Sequence, residues 1–299
     1  MIRLGIDLGG TKIAAVVLDD GGGVLWERRV PTPREDYRGT IEAIAGLVHA
    51  GDAAAGGPCS VGIGMPGAIS PATGLVKNAN STWLIGQRLR EDLERRLGRE
   101  VRLANDANCL AMSEAADGAA AGAEVVFAVI LGTGVGGGLS VRRAAITGAN
   151  AIAGEWGHNP LPWPAADELP GPACYCGKHG CIETFLSGPG LAADYARRGG
   201  APIRGEDVVR RAVSGEDAHA AASLDAWVER LAKSLATVIN ILDPEVIVIG
   251  GGLSRIERIY DRVPHLWTRW VFSDRVDTKI VAAKHGDASG VRGAARLWQ

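Results

Sequence analysis

The chain has 299 residues, 46% apolar and 22% charged, with a formal net charge of −2. That length suggests about two domains with a sizeable core, and the near-neutral charge argues against general nucleic-acid binding, which needs a basic surface. No apolar run approaches the roughly 20 residues that span a bilayer. Met1 leads straight into a core-type strand, so no signal peptide, no membrane partner and a cytoplasmic location are expected.

In chain order, IRLGIDL (2–8), KIAAVVLD (12–19) and VLWERRVP (24–31) are separated by glycine turns and predict an antiparallel meander. A helix is predicted near 37–50 and a buried strand over SVGIGMPG (60–67). Another helix covers 87–97, where Leu89, Leu93 and Leu97 share a face and Gly98 supplies the C-cap. VRLAN (101–105) reads as a strand, and Asp106 opens a helix reaching about 120. The pattern then restarts with VVFAVIL (125–131), a glycine turn and GGLSV (137–141). A glycine- and proline-rich stretch fills 147–181. Leu224, Trp227, Val228, Leu231, Leu235, Val238, Ile239 and Leu242 recur at helical spacing over 217–242. VIVIG (246–250), a triple glycine, another helix, a strand near 278–283 and a helix near 288–298 complete the chain. Two similar β-rich openings, each followed by helices, predict two α/β domains of related design.

The chemistry sits in the turns. DLGGTK (7–12) is a tight turn whose glycines let backbone N–H groups approach phosphate oxygens, with Thr11 and Lys12 as further donors. Asp7, at the strand end, can orient a hydrated Mg²⁺. LGTGVGGG (131–138) satisfies the dinucleotide-binding glycine pattern, but a strand rather than a helix follows, so it reads as a second phosphate-facing hairpin. No Walker A sequence occurs, which removes the P-loop kinases. The glycines after VIVI leave room for a purine or ribose. Asp106, at a strand-to-helix junction, is equally an ordinary N-cap and a carboxylate kept ionised for accepting a hydroxyl proton. Cys174, Cys176 and Cys181 offer three soft ligands for a structural zinc; of the two candidates for the fourth, His158 is favoured over His179, which sits inside the small cysteine loop. Glu155 and Glu183 flank that centre.

These segments, in this order and spacing, resemble the ROK family (repressors, open reading frames and kinases), and HGDASGVRGAA (285–295) extends the likeness over essentially the whole chain. PTPREDYRGTI (31–41), VKNANSTW (76–83), RLANDANCLAMSEA (102–115) and GEWGHNPLPW (154–163) are most similar to its fructokinase and mannokinase branch. The resemblance implies a two-domain actin/hexokinase-like (ribonuclease H-like) ATPase fold with a central cleft. The implied domains are 1–108 plus 286–299, and 109–285 with the zinc loop. The implied reaction is ATP-dependent phosphorylation of a hexose, D-fructose first, at the 6-hydroxyl, with Asp106 as general base. Asn80, Asn105, Glu155, His158 and Glu183 would hold the sugar. Asp7, Gly9, Gly10, Thr11, Lys12, Thr133 and Gly134 would face the ATP phosphates and Mg²⁺, and Gly251 and Gly252 the adenosine. His158 would bind zinc through one ring nitrogen and sugar through the other. The zinc would clamp the ends of loop 159–173, with the hairpins at 7–12 and 131–138 outside the clamp. A homodimer is compatible with the family.

N-acetylglucosamine kinase and glucokinase are the rival readings within the family. A ROK repressor needs a DNA-binding segment ahead of the motif that here begins at Asp7, and a nicotinamide enzyme needs a helix after 137. Two positions depart from the family pattern. Arg142-Arg143 stands where an Asn-Gly turn is usual and is expected not to adopt a type I′ turn cheaply, and Ala151 replaces a glycine.

Overall fold

The structure, a computed structural model, describes residues 2–298. The chain divides into two compact units: the residues up to Glu124 with Gly138–Ala153 and those from Lys284 onward, and Val125–Gly137 with Gly154–Ala283.

In the first unit, β1 (Arg3–Leu8), β2 (Lys12–Leu18) and β3 (Val24–Pro31) form the expected antiparallel meander. β4 (Ser60–Met65) pairs parallel to β1; β5 (Ala68–Ile69) and β6 (Val76–Lys77) make a separate small hairpin; β7 (Val101–Asn105) pairs parallel to β4. The strand order is β3-β2-β1-β4-β7. Side-chain alternation sets the two faces. Ile13, Ala15 and Val17 enter a core with Ile44 and Leu47 of α1 (Tyr37–Ala55) and Leu93 of α2 (Leu89–Leu97). Ala14, Val16 and Leu18 pack instead with Val291 and Ala295 of α9 (Ser289–Ala295). That helix lies so close to the sheet that a Cβ on Gly5 would stand 2.0 Å from the Val291 carbonyl oxygen, and one on Gly62 1.9 Å from that of Ala294.

On its other side α9 meets α3 (Asp106–Asp117), where a Cβ on Gly293 would stand 1.7 Å from the Cys109 oxygen. α3 lies whole within the first unit. Buried Glu114 on α3 also receives the amides of Lys284 and His285, at 2.9 and 3.2 Å, and the Ser289 hydroxyl at 2.8 Å. The returning chain is thus held from Lys284.

The second sheet contains β8 (Val125–Leu131), β9 (Val135–Val141), β10 (Ala144–Ala145), β11 (Val246–Gly250) and β12 (Lys279–Ala282). Its order, β10-β9-β8-β11-β12, repeats that of the first sheet position for position, as the restarted sequence pattern predicts. Around it lie α4 (Ile182–Leu186), α5 (Gly188–Arg197), α6 (Gly205–Ser214), α7 (Ala218–Leu242) and α8 (Arg258–Leu266). Asp217 caps α7, whose Leu224, Trp227, Val228, Leu231 and Leu235 are fully buried. Loop 159–173 has little regular structure, as expected, beyond one 3₁₀ turn at Ala166–Glu168. Glu168 anchors it to α7, receiving Arg230 at 2.6 Å and Lys233 at 2.8 Å with all three side chains nearly buried. Among the described residues no helix is long and apolar enough to cross a membrane.

The turn between β9 and β10 is left-handed despite the cost expected of it. Arg142 and Arg143 do take up left-handed backbone, with φ of 51° and 64°, and so does Ala151, at 51°. The Arg142 amide donates to the Glu124 carbonyl at 2.6 Å and its guanidinium lies 3.8 Å from the Glu124 carboxylate, which supports the first turn residue. Nothing in the structure explains Arg143.

Candidate active site

The first unit places its candidate residues around the end of the sheet. The turn between β1 and β2 closes through the Gly9 amide on the Lys12 carbonyl at 3.1 Å, and the Thr32 hydroxyl and amide hold the Gly9 and Thr11 carbonyls at 2.7 and 3.0 Å. A Cβ on Gly9 would meet the Lys12 oxygen at 2.8 Å, so the turn demands glycine there. A Cβ on Gly10 would lie 3.5 Å from Ser81 Oγ, which sets the turn beside the loop carrying exposed Asn80. Half-buried Asp7, the penultimate residue of β1, lies against Gly290 of α9, where a Cβ would stand 3.3 Å from its Oδ2. Burial pushes its carboxyl up to about 6; Lys12 and Arg29 pull it down, and Asp287 pushes it further up.

The junction of β7 and α3 carries Asn105 and Asp106. The cap is Asn105, not Asp106: its Oδ1 receives the Ala107 amide at 2.9 Å, and its Nδ2 donates to the Gly67 carbonyl at 3.2 Å. Asp106 is the first helical residue, and its Oδ1 also receives the Ala107 amide, at 2.8 Å. A carboxylate there is favoured by the helix dipole. Cys109, one turn on, is buried, and burial first, then the charges of Asp7 and Asp106, push its thiol well up. It is a packed thiol lying near both carboxylates.

In the second unit the turn between β8 and β9 is closed by the Gly132 amide on the Gly134 carbonyl at 3.0 Å. Glu183 Oε2 receives the Val135 amide at 2.9 Å and would clash with a Cβ on Gly134 at 2.8 Å. Glu183, expected on the sugar, thus has one oxygen committed to the turn that carries Thr133 and Gly134. The turn at 131–135 is therefore tied to the segment following Cys181. Gly251 has φ of 85°, and a Cβ on it would stand 2.4 Å from the Leu131 oxygen, so β11 ends hard against β8. Gly252 opens into a cavity of about 460 Å³ that Thr133, Gly188, Pro189, Arg204 and Glu206 also line. The last four escaped the sequence reading; the one signal, for Gly188 and Pro189 alone, is SGPG at 187–190, a serine-capped start of α5.

The segment Glu155–His158 is laid against β9. Trp156 Nε1 donates to the Gly136 carbonyl at 3.1 Å, its ring meets Phe127 edge-on at 5.7 Å, and a Cβ on Gly157 would stand 2.2 Å from the Val135 oxygen. Glu155 and His158 are half-buried there. His158 Nδ1 lies 3.6 Å from Cys174 Sγ, Cys176 Sγ lies 3.6 Å from Cys181 Sγ, and the four ligand atoms fall within 4.8 Å of one another. Disulfide sulfurs would be about 2.05 Å apart. A tetrahedral metal with bonds of about 2.3 Å to sulfur and 2.0 Å to nitrogen has edges of about 3.8 and 3.5 Å. The spacing and the donor set both fit zinc, and His179 takes no part in the cluster. The other ring nitrogen, Nε2, carries the Tyr175 hydroxyl at 2.9 Å, a residue the sequence reading passed over.

Each unit thus presents a glycine hairpin fit for phosphate, and the first adds a carboxylate at a helix start, which is the equipment of a phosphotransferase of hexokinase-like fold. The ROK family profile matches residues 3–299. N-acetyl-D-glucosamine kinase of Escherichia coli is 42% identical over 297 residues, 98% of each chain. A ROK hexokinase from Thermus thermophilus superposes with a TM-score of 0.87 at 32% identity, covering 99% of this chain and 97% of that one. A ROK family glucokinase from Streptomyces griseus, solved with glucose and AMPPNP, gives 0.78 and 30%, covering 99% of both. The chain belongs to the ROK family, as one of its sugar kinases. Fructose, the sugar expected first, finds no specific support among these relatives; the rival reading, N-acetylglucosamine, is backed better.

Proposed function

We propose that the protein is an ATP-dependent N-acetylglucosamine kinase that phosphorylates the sugar 6-hydroxyl. The observation that supports this most is the 42% identity, spread over 98% of both chains, to the Escherichia coli enzyme of that name.

Asp106 is the general base in this reading. Its place at the first position of α3 favours the ionised form that accepts a hydroxyl proton. Asn80 and Asn105, with Glu155, His158 and the other oxygen of Glu183, hold sugar hydroxyls. Backbone amides at Gly10–Thr11 and Thr133–Gly134 donate to phosphate oxygens, with Gly9 shaping the first turn, and the cavity at Gly252 receives the adenosine. Phosphoryl transfer asks the protein chiefly for such positioning and for charge neutralisation. Mg²⁺, when bound with ATP, supplies that neutralisation, and Asp7 would hold its hydration shell. Zinc would be held by His158, Cys174, Cys176 and Cys181, and its part is structural. The fit of these four donors to a tetrahedron supports it.

The test is a panel of N-acetylglucosamine, glucose, mannose and fructose with ATP and Mg²⁺. The highest kcat/KM is expected for N-acetylglucosamine, and a markedly higher value for fructose or mannose would restore the other branch.

A further inference from the structure

Tyr175 stands at the tip of the cysteine turn, which the Gly177 amide closes on the Cys174 carbonyl at 3.0 Å. The residue is 79% exposed, yet its hydroxyl is tucked inward, 2.9 Å from His158 Nε2. The phenol ring meets the imidazole edge-on, with centroids 5.1 Å apart and planes at 87°. Nδ1 faces the cysteines, and a nitrogen used as a metal ligand carries no proton, so a neutral ring has its proton on Nε2. Nε2–H then donates to the phenol oxygen. The phenol carries a proton of its own, as a tyrosine hydroxyl ordinarily does near neutral pH. The group on His158 is therefore a hydroxyl that accepts from an imidazole and has a proton left to donate. A sugar hydroxyl would present the same bonding pattern at that nitrogen.

We propose that Tyr175 is a gate, its hydroxyl occupying the sugar-hydroxyl position on His158 until the sugar displaces it. The inference rests on the reading in which Glu155, His158 and Glu183 grip the sugar. Swinging out is cheap for a ring already exposed, since little apolar surface is lost from contact. What the sugar must overcome is one hydrogen bond and one edge contact. That lowers apparent affinity by the fraction of molecules with the gate open, about five- to ten-fold for a bond of ordinary strength.

The experiment compares Tyr175→Phe and Tyr175→Ala with the wild type, using whichever hexose of the panel is phosphorylated best. Sugar is titrated calorimetrically without nucleotide, and zinc is measured in each sample. Tyr175→Phe keeps the ring and removes the hydroxyl, so its sugar Kd is expected to fall about three- to ten-fold, with the gain in KM rather than kcat. Tyr175→Ala should fall at least as far. An unchanged or raised Kd in Tyr175→Phe overturns the proposal, because the phenol would then be idle or a sugar contact. A fall in Tyr175→Ala alone also overturns it by assigning the effect to the ring. Failure of the underlying reading looks different: no hexose of the panel would be phosphorylated by the wild type.

Discussion

Burial holds the Asp7 carboxyl at about 6, against an ordinary value of 3.8, so the folded chain binds this proton more tightly than the unfolded chain does. Asp7 therefore favours folding below pH about 4, and that contribution is lost as pH rises through about 6. The shift corresponds to at most about 3 kcal/mol. Asp7→Asn should thus raise the unfolding midpoint at pH 8, by a margin that vanishes towards pH 4, while phosphorylation is lost with the carboxylate. Activity of the wild type should fall below pH about 6, with the acid limb moving lower as Mg²⁺ is raised, because a bound cation competes with the proton. An Asp7→Asn protein less stable than wild type at pH 8 would contradict this account. Asp7 and Asp106 were both legible from their places at the ends of strands. The choice of cap at 105–106 was not, since Asn and Asp serve equally and only backbone geometry decides. Tyr175 was not legible at all: its meaning comes from a histidine 17 residues away in sequence.

Elements were read well where period and turn chemistry agree. The meander, the amphipathic α2 with its left-handed Gly98 cap, and the long α7 all follow from local pattern. The packing of α9 between sheet and α3 was not foreseen, because the glycines that permit it, Gly5, Gly62 and Gly293, carry no periodicity of their own. The turn at Arg142-Arg143 shows the opposite failure, a local rule overridden by the strands it joins. Left-handed backbone costs L-residues roughly 1–2 kcal/mol each, and the exposed pair of Arg142 with Glu124 returns little of that. Replacing the two arginines together by Asn-Gly should stabilise the protein by about 1–2 kcal/mol. Urea unfolding checks this through a higher midpoint at unchanged slope. A lower midpoint would mean that Arg143 has a partner or role that the fold alone does not reveal.

At the scale of the molecule, two sheets of one strand order each carry a glycine turn after the first strand, and the second unit adds a metal-type cluster to its own. The duplication was visible in the restarted pattern at 125–141, but the tie from the cysteine segment to the turn at 131–135 was not. Glu183 follows Cys181 by two residues and holds the Val135 amide, and the Gly188 amide holds the Gly132 carbonyl at 2.8 Å. In the proposed reading, the segment that would tie zinc to the sugar carboxylates therefore continues into the turn proposed for nucleotide. Cys176→Ser removes an exposed ligand with little packing loss, so its effects report on the metal. One zinc per wild-type chain is expected, absent from the variant. Both sugar and nucleotide affinity should weaken in the variant, and the amides of Val135 and Gly188 should exchange with solvent faster. A metal site that binds the folded state at a thousand times its Kd contributes about 4 kcal/mol to its stability, enough to show as a lower unfolding midpoint as well. Zinc lost with nucleotide affinity intact would show that the Glu183 link transmits nothing. A metal-free wild type working at full rate would remove the cluster from the mechanism altogether.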